Sequence, residues 1–158
     1  GQGENGNMSR LVKAVKSGYF FFTGNQRTIK SGCYVKNLCN ALLFMHSTAA
    51  EPSTVVFNMS FSPMPELKTY INLILITLDK KARIITLPFP VIYLAVLIVE
   101  LFTRLFNFHH GINTARLKKI RVSNNVDIPV LRNTYWKAPF TLEEAFKDWQ
   151  REDNSTWG

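Results

Sequence analysis

The feature that most limits how this chain folds is a sixteen-residue apolar run at 84–99, broken only by Thr86, Pro88 and Pro90 and stopped by Glu100. That much apolar surface drives itself out of water, into a core or against lipid. A helix that crosses a bilayer needs about 20 apolar residues, and this run is shorter. Entered through Pro88-Phe89-Pro90, it reads as a buried helix over 90–106. The alternative is a monotopic helix lying on a membrane, with Arg104 and the basic stretch after it meeting lipid headgroups.

The rest of the chain is globular in composition. Of its 158 residues 46% are hydrophobic and 19% charged, which excludes wholesale disorder and fits one domain or a large part of one. Two cysteines, Cys33 and Cys39, exclude a disulfide scaffold and a zinc site made of cysteines alone. The net charge of +8 favours anionic partners: phosphates, nucleic acid or acidic lipid. No secretory h-region opens the chain. A start without Met inside a Gly-rich loop is the expectation for an excised segment.

Periodicity predicts helices over 7–16, 36–46, 66–78, 90–106, 113–121 and 141–152, with one helical turn at 129–133. Asn7 is the expected cap of the first, and Thr141 with Glu144 forms a capping box on the last. Short strands are expected over 19–23 and 83–87, with an extended piece at 30–35. The run TVVFNM at 54–59 reads as a strand buried on both faces. The tail over 153–158 is expected to fray. Helices alternating with buried strands give an α/β class.

Gly1-x-Gly3-x-x-Gly6 matches the dinucleotide fingerprint in letters, but that motif works only after a strand and at a helix start. A loop leading into the first helix is the better reading. No Tyr has Lys four residues later. His46, His109 and His110 form no metal pattern, and no Ser/His/acid set follows from spacing. Glu143 and Glu144 suit a helix N-terminus without any catalytic role. The functional candidates are the bases Lys13, Lys16, Arg27, Lys30, Arg116, Lys118, Lys119 and Arg121. Lys30 stands out among them, beside a turn and between apolar runs.

Four segments in order carry a resemblance: GQGENGN, GNQRTIKSGCYVKNLCNAL, TVVFNMSFSPMPELKTY and RVSNNVDIPVLRNTYWKAPFTLEEAFKDW. Together they resemble the C-terminal part of an extended short-chain dehydrogenase/reductase of the NAD-dependent epimerase/dehydratase family. The resemblance implies the late strand and helices of a Rossmann-type sheet plus a small mixed substrate-binding subdomain, incomplete without an N-terminal half. It treats 1–158 as one substrate-binding portion. The function implied is the substrate side of an NAD(P)-dependent nucleotide-sugar epimerase, dehydratase or reductase, inactive alone and bound to its cofactor through the other half.

The family's nucleotide-contacting Asn-Leu pair falls on Asn7-Met8, and its phosphate-binding Arg falls on Lys30. The strand at 20–23, with Phe22, would lie along the base, and Arg116 or Arg121 would supply a second phosphate cation. Lys36-Asn37 replaces the common Asp-Asp, and Gly32 and Cys33 replace bulkier apolar residues, which is expected to loosen that strand. The family's cofactor loop and Tyr-x-x-x-Lys pair lie upstream of Gly1. The implied setting is cytoplasmic, with room for a homodimer and for peripheral membrane contact, while nucleic acid is disfavoured as a partner. Two alternatives stand beside this reading: a basic module for membrane surface or nucleic acid, and a steroid-type dehydrogenase of the same superfamily, which the apolar helix would suit.

Overall fold

A computed structural model describes residues 1–18, 20–48, 54–81, 84–105 and 114–157, with only the backbone for Arg104, Leu105, Arg116 and Asn154. The expectations placed on Tyr19, Arg83, Phe106, His109, His110 and Asn113 lie outside the described residues. Helix α1 spans Asn7–Lys16 and presents Met8, Leu11, Val12 and Val15 at helical spacing to the core. Its N-terminus differs from expectation: Gly6 is the cap residue, and Asn7 is exposed. The Glu4 carboxylate does the capping, accepting from the N–H of Gly6 at 2.8 Å and of Ser9 at 2.6 Å. An acid reaching back to free N–H groups meets the positive end of the helix as well.

Strand β1 is Phe22–Thr23, followed by Gly24 at φ 84°. Helices α2 (Val35–Thr48) and α3 (Leu67–Thr77) come next, then strand β2 (Thr86–Leu87). The two strands pair in parallel, Phe22 opposite Thr86 and Thr23 opposite Leu87. Helices α4 (Phe89–Leu105), α5 (Thr114–Arg121), α6 (Pro129–Arg132), α7 (Leu142–Glu152) and α8 (Asn154–Trp157) complete the order. The molecule is mixed α/β and mostly helical, with a small parallel sheet, which is compatible with part of a Rossmann-like fold. The core lies where α1, α3, α7 and α8 meet. Val12, Ile71 and Ile74 pack there against an aromatic cluster in which Trp157 stands edge-on to Trp149 at 5.2 Å and to Phe146 at 5.8 Å.

Three further expectations give way. Residues 54–59 form no strand, and Val56 is 85% exposed. An apolar run becomes a buried strand only where a sheet offers it an edge, and among the described residues β1 and β2 pair with each other alone. The second is α4, of which Ile92 is buried but Val91, Leu94, Leu97, Ile98, Leu101 and Phe102 are 45–61% exposed. Its helical neighbour is the short basic α5, too small to cover it. The third is the tail. Over 153–157 it is docked, because Trp157 fills the core and the Asp153 carboxylate accepts from Trp149 Nε1, Ser155 Oγ and Thr156 Oγ1.

Candidate functional site

Residues 29–31 are stapled to the chain that leaves α5. Asn124 N–H donates to the Ile29 carbonyl at 3.0 Å, and Ser31 N–H donates to the Asn124 carbonyl at 3.1 Å. The Ser31 hydroxyl donates to the same carbonyl at 2.6 Å and accepts from Val126 N–H at 2.9 Å. This pairing carries the Lys30 ammonium to the end of α5. There it donates to the carbonyls of Val122 at 2.7 Å and Lys119 at 3.3 Å. A helix C-terminus leaves such carbonyls without partners and favours a cation. Burial pushes the Lys30 ammonium below its ordinary pKa. The described residues supply acceptors for two of its three N–H groups.

Arg121 ends the same helix. Its guanidinium lies over the Phe89 ring, 4.2 Å from the centroid. Phe89 follows β2 and approaches Gly24 at the end of β1. Gln26 Nε2 donates to Thr86 Oγ1 at 2.6 Å and ties the turn after β1 to β2. Lys30 and Arg121 thus both belong to the C-terminal end of α5, Lys30 through the carbonyls it caps and Arg121 as the last residue of the helix. Arg116 belongs to the same helix, and its side chain lies outside the described residues.

The other sequence candidates sit elsewhere. Met8 lines a cavity of about 100 Å³ with Glu4, Gly32, Tyr34, Tyr70 and Trp149 among its walls. Sites for drug-sized ligands run to roughly 300–1,000 Å³, so this cavity is small beside them. Asn7 is exposed beside Met8 on α1. The Lys30 ammonium does not line the cavity, but the Lys30 carbonyl accepts from the Tyr70 hydroxyl in its wall at 3.1 Å. Phe22 is buried in the core and its N–H donates to the Ile85 carbonyl, so its ring is not offered to a ligand. Strand alternation instead puts Phe21 outward, 39% exposed, in an apolar groove of about 280 Å³ with Leu87, Val91, Ile92 and Val96. The sequence reading names Phe22; alternation along 20–23 is the signal that could have pointed to Phe21.

Lys36 fastens α2 to α7, and Asn37 fastens it to the segment that leads into α7. Lys36 Nζ lies 2.5 Å from Asp148 and 2.7 Å from Glu152. The Tyr34 hydroxyl donates to Asp148 as well. These bonds from Lys36 and Tyr34 hold the Asp148 carboxyl below its usual range, and burial with the bond to Asp148 pushes the Tyr34 phenol up to about 12. Asn37, fully buried, accepts from the Phe140 N–H at 3.0 Å and donates to the Phe140 carbonyl at 2.8 Å.

A dinucleotide does not fit the start of α1. A pyrophosphate would need the helix's free N–H groups, and Glu4 already takes those of Gly6 and Ser9 and sets a negative charge of the chain's own at that end. Among the described residues no three His, Cys, Asp or Glu side chains are placed to hold a metal ion. No helix of the described residues is long and apolar enough to cross a membrane.

No protein-family model matches the chain, and no solved structure matches it significantly. One curated protein does: the N-acetyl-alpha-D-glucosaminyl-diphospho-ditrans,octacis-undecaprenol 4-epimerase of Escherichia coli O157:H7. It is 22% identical over 145 residues, which cover 92% of this chain and 44% of that protein. The chain thus spans less than half the length of the curated relative it matches, and its relationship is a distant one to an epimerase.

Proposed function

We propose that the chain is the substrate-side portion of an epimerase-family enzyme that acts on a sugar diphosphate, and that the Lys30–Arg121 edge holds the diphosphate. The observation that supports the reading is that the Lys30 ammonium is seated on the C-terminal carbonyls of α5, the helix that Arg121 ends, although the two residues lie far apart in sequence. A diphosphate takes the remaining N–H of Lys30 and the fork of Arg121 in charge-assisted hydrogen bonds. The distant epimerase relationship supports the same class of substrate. Since α1 does not fit a dinucleotide, this reading assigns NAD or NADP, and the Tyr-x-x-x-Lys pair, to the rest of an intact enzyme. This portion alone is then inactive.

A nucleoside diphosphate-sugar is the first reading of the substrate. A polyprenyl diphosphate-sugar is the second, favoured by the apolar groove of Phe21, Val91 and Ile92 close to Phe89 and Arg121. Calorimetry on the full-length protein with uridine diphosphate and with farnesyl diphosphate separates the two. Lys30→Ala is expected to weaken the preferred diphosphate by about 1.5–3 kcal/mol, the worth of a charged hydrogen bond. Arg121→Gln, which leaves the Lys30 cap in place, is expected to weaken it as well. An unchanged dissociation constant in both variants removes this edge from the site.

A further inference from the structure

We propose that α4 and α5 form a membrane-docking hairpin, with α4 lying flat in the surface of an anionic bilayer and the α5 cations at the headgroups. The inference goes beyond the sugar-diphosphate reading and stands or falls without it. Its first support is that α4 is predominantly apolar, with Glu100, Thr103 and Arg104 confined to its last turns, while Ile92 alone among its described side chains is buried. A helix this apolar belongs in a protein core or in lipid, and among the described residues Val91, Leu94, Leu97, Ile98, Leu101 and Phe102 are left exposed. Its 17 residues extend about 25 Å, short of the roughly 30 Å hydrocarbon core, so the helix lies on a membrane and does not cross it.

The second support is charge, which selects lipid over a protein partner. From Leu101 to Val126 the chain has five bases, Arg104, Arg116, Lys118, Lys119 and Arg121, and no acid. Lys118, Lys119 and Arg121 are exposed. Two of these cations lie along α4: Lys118 Nζ is 5.5 Å from the Tyr93 ring centroid, and Arg121 is over Phe89. Glu100, the one acid of α4, accepts from Thr114 N–H at the start of α5 at 3.3 Å. The single negative charge is thus turned toward the hairpin's own second arm. An apolar helix edged by cations and aromatic rings is the arrangement that anionic headgroups and acyl chains complement together. The buried centre of a protein interface, by contrast, is depleted of Lys.

The test is flotation of the purified full-length protein with vesicles of phosphatidylcholine alone and of phosphatidylcholine mixed with phosphatidylglycerol, free of any sugar diphosphate. Binding to the mixed vesicles is expected, weaker on the neutral ones and reduced by salt. Leu97→Glu with Leu101→Glu is expected to lower the vesicle affinity about tenfold or more, and Lys118→Glu with Lys119→Glu by a similar factor. In a Leu94→Trp protein, the new tryptophan is expected to be quenched by brominated acyl chains. Absence of vesicle binding, or binding that both variant pairs leave unchanged, overturns the proposal. So does a wild-type dimer that ignores vesicles and that the two Glu substitutions on α4 split into monomers, since a second copy is then the occupant. The Lys30→Ala protein is expected to float like wild type, which keeps this result separate from diphosphate binding.

Discussion

A Cβ built on Gly32 would lie 2.3 Å from the Tyr70 hydroxyl oxygen. The hydroxyl stands there because it donates to the Lys30 carbonyl, from a side chain that is 2% exposed. In the bare sequence Gly32 reads as a loss of apolar bulk, because the Tyr that needs the space is 38 residues away. Gly32→Ala forces the hydroxyl aside, and overpacking of this kind costs about 1–3 kcal/mol. Tyr70→Phe removes the offending oxygen. The double variant is therefore expected to lose less stability than the two single losses added together, measured as urea midpoints. Additive losses would show that the two residues do not share this contact.

At the scale of elements, α1, α3 and α7 were legible because apolar residues repeat at helical spacing and each buries the face so marked. The apolar runs at 54–59 and 84–99 were not. Hydrophobicity says that a segment seeks cover, but the cover belongs to other elements. The same limit hid the role of Lys30: its charge was visible, whereas the helix end it caps lies about ninety residues later. Lys36-Asn37 looked like a departure from a family pattern and proves to fasten α2 to α7 and to the segment leading into it. Asn37→Ala leaves a backbone N–H and a carbonyl of Phe140 without partners. It is expected to cost about 2–4 kcal/mol in denaturant unfolding, given the penalty for unsatisfied polar groups. A loss well below that range would mean that water takes over both bonds.

The whole molecule carries a net charge of +8, and several of its few carboxylates are committed to holding the fold. Hydrogen bonds from Ser155, Trp149 and Thr156 bring the Asp153 carboxyl down to about 2, and those from Lys36 and Tyr34 lower Asp148. A depressed carboxyl pKa gives stability that is complete above the ordinary carboxylate range and is lost as pH falls through the folded value. The urea midpoint is therefore expected to hold between pH 7 and pH 5, and to drop from about pH 4 toward pH 2 as both groups protonate. Asp153→Asn is expected to flatten that acid limb, and an unaltered slope would deny Asp153 its part in it. The parallel pair of β1 and β2 has a consequence of another kind. Phe22 meets Thr86 only after 64 more residues have been added. At the usual translation pace of about 5–20 residues per second, that is a delay of about 3–13 s. During synthesis Phe21 and Phe22 emerge from the ribosome with no partner strand yet made, and a ribosome-bound holdase has the first opportunity to cover them.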